Sequence, residues 1–212
     1  MHEERIMSLT HGRISMILLT HRHDDHSACA TALATQSQAP VFAADPQFAS
    51  NANTIFFGEQ QFSLDELTLR VIAVPGHTSD SVAFLATDRD QIALFTGDTI
   101  LGEGSSIITF PDGDIGAYLQ SLDRLESVVR ATGKQVPLLP GHGSTHDDSL
   151  PLITKYRAHR LERLVEIRNA MAQGASDALS VVNLVYKDVP EALRPAAVMT
   201  VEAQIAYLRL TP

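Results

Sequence analysis

The sequence predicts an α/β layered fold followed by a small helical domain, on three observations. Residues 1–150 hold short apolar or alternating runs, each broken by Pro, Gly or Asp. Helix-period stretches lie between them. Beyond Leu150-Pro151 the pattern turns to helices alone and the charge balance changes sign. The first 150 residues carry 8 basic and 19 acidic side chains, net −11, and residues 151–212 carry 8 and 6, net +2. Two domains are therefore expected, 1–150 and 151–212.

Ile14 to Leu19 is a continuous apolar run and reads as a strand buried on both faces. Ser27 to Gln38 is alanine-rich, helix-compatible and closed by Pro40. Further strands are expected at Val41–Ala44, Leu67–Val74, Ser81–Ala86 and Gln91–Phe95. Along Leu67–Val74 the residues Leu67, Leu69, Val71 and Ala73 alternate to one face. Asp114–Arg130 spaces Ile115, Leu119, Leu122, Leu125 and Val129 as a helix does, with Gly133 as its stop. Val136–Leu139 is a short strand, and helices follow over 152–172, 178–186 and 195–208.

Of 212 residues, 44% are hydrophobic and 19% charged, which excludes collagen-like and disordered classes. No apolar run approaches the ~20 residues of a membrane span. Neither a secretory pattern at the N-terminus nor a cysteine pair is present, Cys29 being alone, so a cytoplasmic location is expected. The net charge of −9 disfavours a stand-alone nucleic-acid binder.

Nine histidines occur, and five of them sit where strand-like runs end. Thr20-His21-Arg22-His23-Asp24-Asp25-His26 packs three imidazoles and a carboxylate directly behind a buried strand. Imidazole nitrogen and carboxylate oxygen suit zinc and similar metals, and alternating donors let a loop fold around an ion. The plain alternative is a solvated turn of chance histidines. Three more strand ends repeat the design: His77 follows Pro75-Gly76, Asp98 follows Thr96-Gly97, and His142 follows Pro140-Gly141. The preceding glycine permits the tight turn that a crowded site needs. Alone, each of these is an ordinary capping or turn residue; four loops of one design point to a metal site. His2, His11, His146 and His159 read as surface or capping residues, Cys29 as a small buried one. Asp24, Thr78, Ser79, Asp80 and Thr99 lie beside candidate donors and are placed to orient imidazoles.

These motifs, His21-x-His23-x-Asp25-His26, Gly76-His77-Thr78, Thr96-Gly97-Asp98-Thr99 and Pro140-Gly141-His142-Gly143, resemble those of the metallo-β-lactamase superfamily, in its order. The resemblance implies an αββα sandwich in residues 1–150. It also implies two metal ions, Zn2+ with iron or manganese as alternatives: His21, His23 and His77 on one, Asp25, His26 and His142 on the other, Asp98 between. Two such ions bring a shared water's pKa from 15.7 towards about 7, making hydroxide the nucleophile, with Asp25 orienting it. The aspartate at 98 looks like the glyoxalase II and nuclease branches. Tyr156 to Arg163 and Val182 to Tyr186 are similar to the winged-helix-like domain of the lactamase-β-like 2 subgroup, which includes single-strand endoribonucleases.

Only twenty residues precede His21, where the family has further strands, so part of the first sheet is expected to be missing. That predicts an exposed sheet edge, impaired stability and a homo-oligomer covering the edge. The leading functional expectation is a hydrolase of an ester, thioester or related bond in a small molecule. The alternatives are an endoribonuclease on single-stranded RNA, a non-catalytic metal-binding fragment and an iron redox enzyme.

Overall fold

Two sheets divide the apolar runs of the first 140 residues between them. The computed structural model describes residues 2–56 and 59–211. Strands β1 (Ile17–Leu18) and β2 (Val41–Phe42) pair in parallel, Ile17 opposite Val41 and Leu18 opposite Phe42. The second sheet has five strands in the order β3 (Gln61–Leu64), β4 (Leu67–Ala73), β5 (Val82–Asp88), β6 (Gln91–Gly97), β7 (Leu138–Pro140). Its first four strands are antiparallel neighbours, and β7 joins β6 in parallel. The helices are α1 (His2–Thr10), α2 (Asp24–Ser27), α3 (Ala30–Ser37), α4 (Ile115–Ala131), α5 (Ser149–Ala172), α6 (Ala178–Val185) and α7 (Arg194–Leu210).

Period-2 alternation sends each strand of the large sheet to two different cores. Val71, Val82 and Phe84 meet Leu18 and Phe42 of the small sheet, with Phe56 and Phe62 closing the space between sheets. The rings pack edge-on, Phe42 to Phe62 at 4.9 Å and Phe56 to Phe84 at 5.8 Å between centroids. Ile72, Ala83, Leu85 and Leu94 point the opposite way, into the main core. There they meet Leu122, Leu125 and Val129 of α4 and Ile153, Tyr156 and Leu164 of α5. A large apolar side chain contributes about 1.5–3 kcal/mol on such burial. Outside the small sheet, Ala30 and Leu33 of α3 are buried, and Ala30 packs with Leu19, Val41 and Ala43. The layers are therefore helix, small sheet, large sheet, helices.

Helices α6 and α7 complete the chain. Val181, Val182, Val201 and Ile205 form a second cluster with Ile167 and Ala170 of α5. α5 thus lends its first half to the main core and its second half to this one. Among the described residues beyond 140 there is no strand, so the appended segment consists of helices and one 3-10 turn, Glu191–Leu193.

Several expected boundaries are corrected. The strand expected over Ile14–Leu19 shortens to two residues because its partner, expected over Val41–Ala44, offers only Val41 and Phe42 as a ladder. Ahead of it the described residues form α1, which buries no side chain. The helix expected over Ser27–Gln38 is two pieces, α2 and α3, separated at Ala28-Cys29. No sequence signal anticipates β3, which forms a hairpin with β4 around Asp65, whose φ of 52° stands where glycine is usual. α5 begins at Ser149, not Leu152, because the Asp148 side chain accepts from the Leu150 amide at 3.1 Å, and Pro151 is tolerated in a first turn.

Candidate metal centre

The donor residues expected from the sequence gather where strands end at one edge of the two sheets. His21 follows β1, His77 follows β4, Asp98 follows β6 directly and His142 lies two residues beyond β7. Parallel pairing of β6 with β7 brings the last two together, and the Gly141 amide donates to the Gly97 carbonyl at 2.9 Å. Asp25 and His26 stand on the single turn of α2, whose acidic residues favour its N-terminal end.

Two donor groups result: His21, His23 and His77 in one, Asp25, His26, Asp98 and His142 in the other, with the donor atoms of each within 4.8 Å of one another. His23 Nδ1 lies 3.1 Å from both His21 Nε2 and His77 Nε2. His26 Nε2 is 3.1 Å from His142 Nε2, which is 3.0 Å from Asp25 Oδ2. Asp98 joins the groups: its carboxylate is 3.3 Å from His26, 3.5 Å from His142 and 3.8 Å from His77. A tetrahedral zinc site with its usual bond lengths separates donors by about 3.3 Å. The spacing therefore fits an ion within each group.

The chemistry of the donors fits as well. Asp98 Oδ1 is buried with no hydrogen-bond partner, which is costly for a carboxylate unless a cation faces it. Ring orientation is fixed from behind. His77 Nδ1 donates to the Ile107 carbonyl at 2.6 Å, so Nε2 keeps its lone pair and aims inward. Thr20 Oγ1 lies 3.1 Å from His21 Nδ1, and Ser106 Oγ donates to the Asp98 carbonyl at 2.7 Å.

Electrostatics divide the donors. Burial, reinforced by the neighbouring imidazoles, pushes the His21 pKa down to about 3, and burial also lowers His77. Contact with Asp98 instead raises His26. Burial works to raise Asp98, but His26 and the surrounding imidazoles overcome it and hold the carboxyl below its ordinary range. For Asp25 burial again acts upward, and its own backbone amide, His26 and His142 outweigh it and lower the carboxyl. Both carboxyls are therefore anionic at neutral pH. His21 and His77 are buried, whereas the side chains of Asp25 and His142 are half-exposed, so the cluster opens to solvent on the Asp25 side.

Two glycines make the approach feasible. A Cβ at Gly141 would stand 2.5 Å from Asp98 Oδ1 and 2.7 Å from the His26 ring. One at Gly76 would strike the Tyr118 backbone at 2.4 Å, and its φ of 138° disfavours any side chain.

The orienting residues differ from those expected. Thr78 pairs with Ser81 Oγ at 2.7 Å, Ser79 donates to Asp112 at 2.7 Å, and Asp80 lies 3.5 Å from Arg22. Asp24 is exposed and Thr99 Oγ1 has no partner. Thr20, Ser106 and Ile107 make the contacts to the donors instead. Arg160 of α5 donates to the Ser106 carbonyl, and no sequence motif marks that contact. His146 caps the Gly102 carbonyl at 2.8 Å and is no part of either donor group. Cys29 is free, half-buried and at the start of α3.

Among the described residues no helix is long and apolar enough to cross a membrane. Residues 5–142 match the family model described as the metallo-beta-lactamase superfamily. The chain is 30% identical over 224 residues to a beta-lactamase-like protein 2 homolog of Drosophila melanogaster, covering 98% of this chain and 72% of the relative. A metallo-beta-lactamase family protein from Thermus thermophilus shares the fold, with a TM-score of 0.78, 20% identity, and coverage of 99% of this chain and 79% of that one. The protein TTHA1623, solved in a di-iron-bound form, aligns with a TM-score of 0.53 and 25% identity, covering 74% of this chain and 84% of its own. Donor geometry, fold and family match agree: the chain belongs to the metallo-beta-lactamase superfamily of metal-dependent hydrolases.

Proposed function

We propose that the chain is a dinuclear hydrolase of ester, thioester or related bonds in a small molecule. His21, His23 and His77 would hold one ion, Asp25, His26 and His142 the other, with Asp98 shared. The observation that carries this reading is the Asp98 carboxylate within 3.8 Å of imidazoles from both donor groups. Zinc is the favoured metal for five imidazoles and two carboxylates, with iron or manganese chemically compatible. When bound, such ions supply Lewis acidity and an activated water near neutral pH.

The remaining roles belong to the chain itself. Asp25, anionic and solvent-facing, accepts a proton or hydrogen bond from the attacking water and orients it. Asp98 holds His26 and His142 in register. His77, locked by the Ile107 carbonyl, keeps its inward nitrogen unprotonated. Residues 1–150 would carry this chemistry and 151–212 would shape the site's surroundings. The lone Cys29 suits a reducing, cytoplasmic setting.

A hydrolysis panel of thioesters, lactones, phosphodiesters and single-stranded RNA tests the reading on wild type and Asp25→Ala. Turnover of a thioester or lactone that the variant loses supports it. Equal rates in both proteins reject it, and turnover of RNA alone replaces it with the endoribonuclease.

A further inference from the structure

A cavity of about 430 Å³ lies between the loop from Leu101 to Ile107 and helices α5 and α7, a volume typical of a small-molecule pocket. Leu193, Ala196 and Ala197 make one wall apolar. The opposite wall is one face of α5, carrying His159, Arg160 and Arg163. The loop wall is shared with the metal centre, because Ile107 accepts from His77 and Ser106 donates to the Asp98 backbone.

Arg160 is the informative residue. It is 2% exposed, forms no ion pair among the described residues, and its Nε has no hydrogen-bond partner. It donates to the Ser106 carbonyl and lies against Tyr118, its guanidinium 5.2 Å from the ring centre and interacting with the hydroxyl, whose pKa burial pushes up, so neither partner neutralises it. A buried guanidinium without a counter-charge is unfavourable, because the water it gives up is not replaced by an anion. Of the nearby carboxylates, Glu166 pairs with Arg163 at 2.6 Å and Glu103 with Ser144 Oγ at 3.2 Å, while Glu162 acts on His159 and forms no ion pair with Arg160. Burial, and after it the two arginines, hold His159 below its ordinary range despite Glu162 and Glu166.

We propose that this cavity binds the non-reacting part of the substrate, an apolar acyl or aryl group bearing an oxyanion. The anion sits against Arg160 and His159, and the apolar body lies on Leu193, Ala196 and Ala197. The inference rests on the hydrolase reading only in taking the ligand to be the substrate.

Calorimetric titration of the metal-loaded full chain with 1-octanesulfonate and octan-1-ol tests it. The sulfonate is expected to bind about tenfold more tightly than the alcohol. Arg160→Gln threatens the fold, so His159→Gln, which alters the second side chain set against the anion, and Ala196→Phe, which fills the cavity, carry the test. His159→Gln should weaken the sulfonate alone, and Ala196→Phe should weaken both probes, with metal content unchanged. Equal affinity for the two probes, or sulfonate binding untouched by both variants, overturns the proposal. So does loss of sulfonate binding when wild type is stripped of metal, since the anion would then be sitting on the ions. Cavity-dependent binding without hydrolysis of any panel compound supports the pocket and rejects the hydrolase reading alone.

Discussion

Arg22 Nη2 lies 2.5 Å from Asp112 Oδ1, tying the donor loop after β1 to the segment that enters α4. The same guanidinium is 3.5 Å from Asp80 and 3.6 Å from Asp45, so one side chain of the His-Arg-His motif gathers three carboxylates from three loops. Burial acts to lower its pKa, but Asp112, Asp80 and Asp45 together outweigh that and raise it. Replacing it leaves Asp80, which is buried, without a cation. Arg22→Met is expected to lower stability by about 1–2 kcal/mol, a value tempered by the pair's partial exposure. Urea unfolding of the metal-loaded protein measures it, and Arg22→Lys should recover only part because it loses the forked geometry.

Gly141→Ala puts a methyl group 2.5 Å from Asp98 Oδ1. Backbone and carboxylate cannot both stay in place. The expected result is loss of metal at the Asp25, His26 and His142 group and a fall in turnover of about 100-fold or more. Metal analysis after gel filtration checks the first, and initial rates check the second. Full metal content with unchanged rates would refute the assigned role of this glycine.

The metal-free protein should lose stability as pH falls from about 6.5. His21 has a folded pKa of about 3, below its unfolded value, so the unfolded chain binds the extra proton throughout that window. His77 acts in the same direction. His26 acts oppositely: its raised pKa adds stability at low pH that fades as pH rises through it. Two lowered imidazoles against one raised leave a net decline towards acid, and His21→Gln should flatten it. Thermal melts at pH 7.5, 6.5 and 5.5 of chelator-treated protein measure the slope. Metal loading should steepen it, since protons and ions compete for the same nitrogens.

Tyr156 holds the start of the loop behind His77 by a double contact: its hydroxyl accepts from the Leu101 amide at 3.0 Å and donates to the Leu101 carbonyl at 3.1 Å. Tyr156→Phe should cost about 1–3 kcal/mol, because the Leu101 groups lose their partner. Metal content should remain that of wild type. Parallel denaturation and metal assays distinguish this from a donor-residue effect.

The donor set is legible in the sequence because metal chemistry restricts it to His and Asp, and because each donor loop follows a strand whose apolar pattern is visible. Leu67–Ala73 and the helix from Ile115 match their patterns closely. β3 escapes such reading because Gln61-Phe62-Ser63-Leu64 is short and its turn at Asp65 lacks glycine. The orienting contacts are not legible at all. Adjacency in the sequence points to Thr78 and Thr99, whereas Ile107 and Ser106 reach His77 and Asp98, and Arg160 reaches Ser106, only after the 98–114 segment and α5 fold over the large sheet. Backbone carbonyls and long-range hydrogen bonds leave no residue pattern to read.

Helix α5 is 24 residues, about 36 Å long, and it contributes to two apolar clusters, the main core and the one formed with α6 and α7. Grafting another family member's tail onto residue 150 would therefore exchange Leu152, Ile153, Tyr156 and Leu164 of the main core along with the tail. The two ends of the molecule should melt together in a single cooperative transition, and a swap made at Ala170 rather than at Leu150 keeps the α5 residues of the main core and exchanges only what α7 adds at Ala203, Tyr207 and Leu208.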